Sequence, residues 1–370
     1  MKPLRILQVV TIMNRGGLET MLMNYYRQLD RDKIQFDFMV HRNEEGHYDK
    51  EILELGGRIY QMPQIRPGNY RRYFKVLDKF FLEHKEYQVV HSHINENSSF
   101  VLRAAKKAGI PGRIAHSHLS DLGIDKKLPF RLYARFHMKD NPTSYFACSK
   151  NAGQWLFGKK VTNSNLTVLN NAVNVKDFTF NEKARDKLRE EFGLNNKLVI
   201  GHVGRFNKQK NHDFLIDIFK EIKEKNSNAV LLLIGEGLLK ENIKIKVKKL
   251  NLDKDVRFLG VRNDIPELMQ AMDVFLFPSL FEGLPVVLVE AQAAGLRCVA
   301  SNTITSDSDV TGRVQYICLE DPPQVWADEI LSGSFEHVDT SKDLRKSGYD
   351  SRYMVKWLIE YYSHFYQVAN

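Results

Sequence analysis

Residues 274–301 read VFLFPSLFEGLPVVLVEAQAAGLRCVAS. VFLFPS is an apolar run of strand length closed by proline, PVVLVEAQAAG has the length and composition of a helix ending in glycine, and RCVAS is a second strand. Strand, helix and strand in that order form a βαβ unit, whose two strands lie parallel. Pro285 is expected near the first helical position, where its missing N–H costs nothing. Glu282 then falls in the loop beyond the first strand and Glu290 on the helix, placing two carboxylates where they can accept from hydroxyl groups. Two solvated surface glutamates are the other reading of the pair.

The same alternation extends outward in both directions. LVIGHVG (198–204), AVLLLIGEG (229–237) and VRFLG (256–260) read as strands, separated by the helices NHDFLIDIFKEIKEK (211–225) and KENIKIKVKKLNL (240–252); IPELMQAM (265–272) is a helix. Upstream, RILQVV (5–10), FDFMV (36–40), YQVVHSH (87–93), GRIAHSH (112–118), SYFACS (144–149) and the stretch from Leu166 to Val173 are strand-like. They alternate with helices at 18–29 and 100–109 and a basic helix between 40 and 87. A polar stretch, Asn174 to Leu198, separates the two series and looks like a linker with an opening helix. SRYMVKWLIEYYSHFYQV (351–368) is a long aromatic-rich helix. The expected fold class is α/β, with two Rossmann-like, doubly wound parallel sheets over 1–175 and 176–352 and a closing helix at 353–370. Ligands of such sheets lie beyond the carboxyl ends of the strands.

The chain has 370 residues, 43% hydrophobic and 27% charged, which suits two domains of this size. No apolar run approaches the roughly 18 residues that cross a bilayer, and MKPLRILQVV suits a buried strand better than a secretory signal. Three cysteines without a CxxC pair suggest neither a disulfide framework nor a zinc site. A reducing cytoplasm is the expected location. The net charge of +9 is uneven: residues 1–175 carry 27 basic and 16 acidic groups, the remainder 27 and 29. Basic and aromatic residues interleave from Arg66 to Lys85 and from Lys126 to Lys139, and Lys106 and Lys107 add to the surplus. Contact with an anionic membrane surface and an ordinary solvated face both fit this pattern. No nucleic-acid module is recognisable, and nucleic acid is not expected as a partner.

Three loops carry candidate chemistry. Asn14-Arg15-Gly16-Gly17 follows the first strand and opens a helix, where paired glycines and the helix N-terminus suit phosphate oxygens. The spacing is neither GxGxxG nor a Walker loop. GRFNKQKNH (204–212) recurs at the equivalent place in the second series, with Arg205 and Lys210 placed to converge on one anionic group. A diphosphate is the simplest target. The third loop is the one that holds Glu282.

Gly16-Gly17-Leu18-Glu19, the Arg205/Lys210 pair, the IGEG turn (Gly235 to Gly237) and the Glu282/Glu290 pair together resemble family 4 of the retaining glycosyltransferases. The likeness covers almost the whole chain and is nearest to bacterial capsular and exopolysaccharide enzymes. The resemblance implies a GT-B fold, with a nucleotide-sugar donor, UDP-linked by expectation, held mainly by the second domain. It implies a saccharide acceptor, expected to be lipid-diphosphate-linked, met mainly by the first domain, with no cofactor and no required metal. Carried over, Arg205 and Lys210 bind the donor diphosphate, Glu282 the transferred sugar and Glu290 the ribose. Gly16, Gly17, Gly204, Gly235, Gly237, Gly283, Leu284 and Val286 border the donor. His118 positions donor sugar and phosphate, while Ser149 and Asn171 lie near the interdomain cleft and the helix Tyr353 to Gln367 crosses back onto the first domain.

Two departures stand out. Where many relatives read Glu-Gly-Phe-Gly-Leu-Pro, this chain reads Glu282-Gly283-Leu284-Pro285-Val286-Val287, so Pro285 has no amide at a position that elsewhere can donate to phosphate. Ser301-Asn302-Thr303-Ile304-Thr305 replaces a frequent Gly-Gly. The residues leave three other readings open. One is a metal-dependent transferase using an Asp-x-Asp pair, with candidates Asp30/Asp32, Asp253/Asp255 and Asp307/Asp309. The second is a nucleotide-sugar epimerase of the same architecture, and the third a non-catalytic sugar-nucleotide or membrane-binding protein.

Overall fold

The computed structural model describes residues 3–66, 68–118 and 128–368. The chain divides into one unit of Met1–Ala172 with Ser351–Asn370 and another of Val173–Asp350, slightly before the breaks expected at 175/176 and 352/353. Val173 and Val175 are fully buried in the core of the second unit beside Phe178, and the Val173 N–H donates to Tyr349 O at 2.9 Å. Burial of these side chains draws both crossings into the second unit.

The first unit is a sheet of β1 (Leu4–Val9), β2 (Ile34–Val40), β3 (Ile59–Gln61), β4 (Val89–Ser92), β5 (Gly112–Ser117), β6 (Ser144–Ala147) and β7 (Leu166–Val168), in the order β3-β2-β1-β4-β5-β6-β7. The second has β8 (Leu198–Val203), β9 (Ala229–Ile234), β10 (Val256–Gly260), β11 (Val274–Phe277), β12 (Arg297–Ser301) and β13 (Val314–Ile317), ordered β10-β9-β8-β11-β12-β13. All neighbours run parallel. Every residue of β2 and β9 is buried, because helices cover both faces and continuous apolar runs replace alternation. The strand order reverses between β1 and β4, and again between β8 and β11. Such reversals open a crevice beyond the carboxyl ends of the strands. The sequence reading did not anticipate β3, β13 or the short helix Val175–Phe178.

Each unit is locked by a buried carboxylate. Asp37, fully buried, accepts from Arg5 Nε (2.6 Å), the Arg58 N–H (2.7 Å) and Tyr87 OH (2.7 Å). Asp273 accepts from Arg185, from Arg189 Nη1 at 3.2 Å and from the Val199 N–H at 2.7 Å, fastening the helix Glu182–Glu191 to β8. The last helix, Ser351–Val368, packs Val355, Leu358 and Tyr362 into the core of the first unit. Its Tyr366 OH donates to Arg5 O, and Tyr361 OH donates to Ser144 Oγ. Among the described residues no helix is long and apolar enough to cross a membrane.

Candidate active site

In the second unit, the residues after β8 and β11 meet at the reversal of strand order. Asn207 caps a short turn, its Oδ1 accepting from the Lys210 N–H at 3.1 Å, and Asn211 adopts the left-handed conformation (φ 53°) before the helix His212–Lys225. This turn aims Lys210 at the neighbouring loop. Lys210 Nζ donates to Glu282 Oε1 at 2.6 Å, both side chains being largely buried, and lies 4.5 Å from the centre of the Phe277 ring. Gln209 Nε2 donates to Glu282 Oε2 (3.1 Å) and to Phe281 O (3.0 Å), while the Leu280 N–H donates to Gln209 O (2.8 Å). The structure therefore brings Lys210 and Glu282 into direct contact across two loops. Arg205 stays exposed at the start of its loop.

The glycines of this unit do different jobs. A Cβ on Gly204 would lie 2.8 Å from His202 Nε2 and 3.2 Å from Lys210 Cγ, so its absence makes room for the lysine stem. Gly235 (φ 139°) and Gly237 (φ 159°) take conformations that L side chains rarely adopt, and a Cβ would strike Gly204 O at 2.1 Å or Phe206 O at 2.5 Å. The IGEG turn is thus a brace behind the Arg205 loop, a duty inside the chain that the sequence reading did not assign. Gly283 is exposed and faces open space. Leu284 packs partly on the core, and Val286 is buried in it, leaving only its backbone to a ligand. Pro285 is the N-cap of the helix Val286–Ala293, one place before the expected position. Ser301 and Thr303 both donate to Ser279 O (2.5 and 3.1 Å) and tie down the loop bearing Glu282. Glu290 is half-buried on its helix, and burial pushes its carboxyl up to about 7. His202 and His212 are buried beside Lys210; burial first and the ammonium second push His212 down to about 4.

In the first unit the equivalent crevice holds four histidines. The triplet His-Ser-His ends β4 (91–93) and again β5 (116–118), and the parallel register sets Ser92 beside Ala115. The period of two then puts all four rings on one face. His93 Nδ1 and His118 Nε2 are 3.0 Å apart, and His93 Nε2 lies 2.9 Å from Gln8 Oε1. His91 Nε2 and His116 Nδ1 are 3.1 Å apart, and His91 Nδ1 lies 2.7 Å from Tyr362 OH, itself 3.4 Å from Gln8 Nε2. Burial holds His91, His93 and His116 well below the usual histidine range and His118 down to about 3, so all four rings are neutral at pH 7.

The Gln8 amide sets one proton order through the cluster. Its oxygen accepts from His93 Nε2–H, which leaves His93 Nδ1 to accept from His118 Nε2–H and His118 Nδ1 bare. On the other branch Gln8 donates to Tyr362, Tyr362 to His91 and His91 to His116, whose Nε2–H is buried and has no partner among the described residues. The ligand nitrogens of His91, His93 and His116 lie within 4.8 Å of one another and could take a metal ion. Both nitrogens of His91 and of His93 are already engaged, so an ion would have to displace the network.

Gly16 and Gly17 open the helix Gly17–Gln28, with Gly16 as N-cap. The Gly16 N–H donates to Asn14 O at 3.0 Å, and the Glu19 carboxylate lies 2.3 Å from where a Gly16 Cβ would sit. That tight turn gives the Gly16 amide a partner other than phosphate. The loop is tied to residues the sequence reading passed over: Arg15 Nε contacts His47 Nε2 (2.7 Å), and the His47 N–H donates to Asn14 Oδ1 (3.0 Å). Ser149 is the N-cap of the helix Lys150–Phe157, its Oγ accepting from the Ala152 N–H at 3.2 Å. Asn171 is buried, and its Oδ1 has no partner among the described residues. The Asp-x-Asp pairs serve locally: Asp30 binds Lys33 (2.7 Å), Asp255 binds Lys223 (2.7 Å), and Asp309 accepts from the Gly312 N–H (2.8 Å).

The profile of the family described as Glycosyl transferases group 1 matches residues 184–333, and that of Glycosyltransferase Family 4 matches residues 15–177. EpsF of Bacillus subtilis (strain 168), assigned by name as a glycosyltransferase, is 38% identical over 97% of this chain and 96% of its own. The Escherichia coli UDP-Gal:alpha-D-GlcNAc-diphosphoundecaprenol alpha-1,3-galactosyltransferase is 32% identical over 60% of this chain and 59% of its own. The capsular polysaccharide biosynthesis glycosyltransferase CapH of Staphylococcus aureus is 26% identical over 88% and 90%. Among solved structures, HepE of Anabaena, crystallised with UDP and glucose, superposes with a TM-score of 0.70 at 18% identity, covering 98% of each chain. With two parallel Rossmann-like sheets of the GT-B type and near full-length similarity to EpsF, the chain belongs to the family 4 glycosyltransferases.

Proposed function

We propose that this glycosyltransferase moves a hexose or N-acetylhexosamine from a UDP-sugar to a lipid-diphosphate-linked saccharide, in capsular or extracellular polysaccharide synthesis at the cytoplasmic face of the membrane. The observation that carries the reading is the Lys210–Glu282 contact, with Gln209 bridging, at the strand-order reversal of the second sheet. A lysine ammonium has three donors, so Lys210 keeps Glu282 and still reaches a phosphate oxygen. Arg205, exposed on the same loop, supplies the second cation. The relatives support the finer points: the E. coli enzyme is named for a UDP-galactose donor and a diphosphoundecaprenol acceptor, and CapH for capsular polysaccharide.

In the reaction the bond from the sugar C1 to the diphosphate oxygen breaks, and a bond from C1 to the acceptor oxygen forms. The acceptor's proton passes to the departing phosphate. The family resemblance supports attack on the face that the diphosphate leaves, with retention of configuration. Negative charge grows on the leaving group, and a preorganised ammonium and guanidinium stabilise it most in the transition state. No step requires a metal. Glu282, oriented by Lys210 and Gln209, accepts from a hydroxyl of the transferred sugar, and Glu290 accepts from the ribose. His118, neutral and with Nδ1 bare, acts as an acceptor for a sugar hydroxyl; Gln8 and His93 are its positioning residues.

A panel of UDP- and GDP-sugars, with chelator present and nucleotide release as readout, tests the reading. UDP release from one hexose donor, undiminished by chelator and accelerated by a lipid-diphosphate saccharide, is the expected result. Loss of activity in chelator, or donor conversion to an epimer without acceptor, contradicts it. NMR of the product's anomeric carbon decides retention.

A further inference from the structure

The last helix carries Val355, Leu358 and Tyr362 at the three- and four-residue spacing that gathers one face, and all three are buried in the core of the first unit. Packing accounts for the ring of Tyr362, which is 1% exposed and meets the Phe36 ring edge-on at 6.1 Å. It does not account for the hydroxyl, since a phenylalanine would fill the same space and a buried O–H is costly unless it is bonded. That hydroxyl lies 2.7 Å from His91 Nδ1 and 3.4 Å from Gln8 Nε2, partners 271 and 354 residues away in the chain.

Burial holds this hydroxyl far above the usual tyrosine range, so it keeps its proton at any working pH. One proton serves one neighbour. Given to His91 Nδ1, it leaves Tyr362 only a lone pair to turn toward Gln8, and a lone pair calls for the amide NH2 group at that end. The Gln8 oxygen is then the end that faces His93 Nε2, at 2.9 Å. The two ends of a glutamine amide have nearly the same shape, so bonding and not packing chooses between them. His91 carries its own proton on Nε2, 3.1 Å from His116 Nδ1, which keeps His91 Nδ1 an acceptor. The tautomer of His91 therefore sets that of His93 by way of Tyr362 and Gln8, and His93 sets that of His118, 3.0 Å away.

We propose that Tyr362 is a positioning residue of the first unit's crevice: it joins the two histidine branches, so that the docked last helix keeps the proton of His118 on Nε2 and its Nδ1 bare. The consequence for turnover rests on the role given to His118 as an acceptor for a sugar hydroxyl; the proton order itself does not. Two other tyrosines of the same helix give the contrast. Tyr361 OH donates to Ser144 Oγ at 2.6 Å and Tyr366 OH to Arg5 O, so both hydroxyls anchor the helix through bonds outside the histidine cluster.

Nitrogen NMR of the full chain labelled at histidine, together with steady-state UDP release from the UDP-sugar donor, tests it on the parent, Tyr362→Phe and Tyr361→Phe. Both substitutions keep the ring and remove one hydroxyl from the same helix. In Tyr362→Phe a fraction of molecules is expected to carry a proton on His118 Nδ1, and turnover to fall about fivefold, the scale of one hydrogen bond, with donor KM nearly unchanged. Tyr361→Phe is expected to match the parent in both measurements. An unaltered His118 signal in Tyr362→Phe, or the same change in Tyr361→Phe, overturns the proposal. The NMR measurement needs no ligand, so it is independent of the donor reading. A shifted His118 signal with parental turnover upholds the proton order and contradicts the sugar-binding role of His118 alone.

Discussion

The two sheets place their polar residues at the same topological point and make opposite use of it. In the second unit the crevice holds a largely buried ion pair, Lys210 with Glu282. In the first it holds four histidines that burial keeps neutral, joined through Gln8 and Tyr362. One crevice presents charge, which suits a diphosphate. The other presents uncharged donors and acceptors of fixed direction, which suit sugar hydroxyls and would gain little from a full charge.

The contrast is broken most severely by removing the charge. Lys210→Ala is expected to lower turnover at least about 100-fold, roughly 2.7 kcal/mol of transition-state stabilisation, with Lys210→Arg recovering part of it in steady-state assays. A smaller loss follows from disordering the neutral side. Gln8→Leu removes the acceptor that fixes the His93 proton, and turnover is expected to fall about tenfold while donor KM changes little. Nitrogen NMR of labelled histidine should then show the Nδ1 of His118 protonated in a fraction of molecules, against fully bare in the parent.

Glu290 sharpens the comparison through pH. Burial pushes its carboxyl up from an ordinary 4.5 to about 7, and in the role proposed for Glu290 the carboxylate is the form that accepts from the ribose. Donor KM should therefore fall severalfold between pH 6 and pH 8, and Glu290→Gln should flatten that profile. The sign for stability is opposite. The folded state holds this proton between about 4.5 and 7, so unliganded stability declines across that window, and Glu290→Gln should be more stable than the parent above pH 7 in urea titrations by about 1–3 kcal/mol. The smallest effect is expected from Ser149→Ala: about 1 kcal/mol of stability through the lost helix cap, with donor KM unchanged if capping is its whole role.

Much of the architecture was legible because buried parallel strands leave continuous apolar runs between helical stretches, as in VFLFPS and AVLLLIG. β3, three residues long, and β13, VQYI, were not, since runs so short carry too little pattern. Arg205, Lys210 and Glu282 stood out because each follows a strand within a single loop. The histidine cluster did not, because Gln8, His91, His93, His116, His118 and Tyr362 are scattered across the chain and only parallel register assembles them. The repeated His-Ser-His triplet was its one local trace. The brace formed by Gly235 and Gly237 was also illegible, since a glycine required by a ligand and one required by a neighbouring backbone look alike in sequence.

Calorimetric titration of UDP into the parent protein and into Lys210→Ala, both in chelator, bears most directly on the claim that the second sheet's cation loop grips the diphosphate. The account predicts metal-free binding by the parent and at least tenfold weaker binding by the variant. Equal affinity in the two proteins would contradict it.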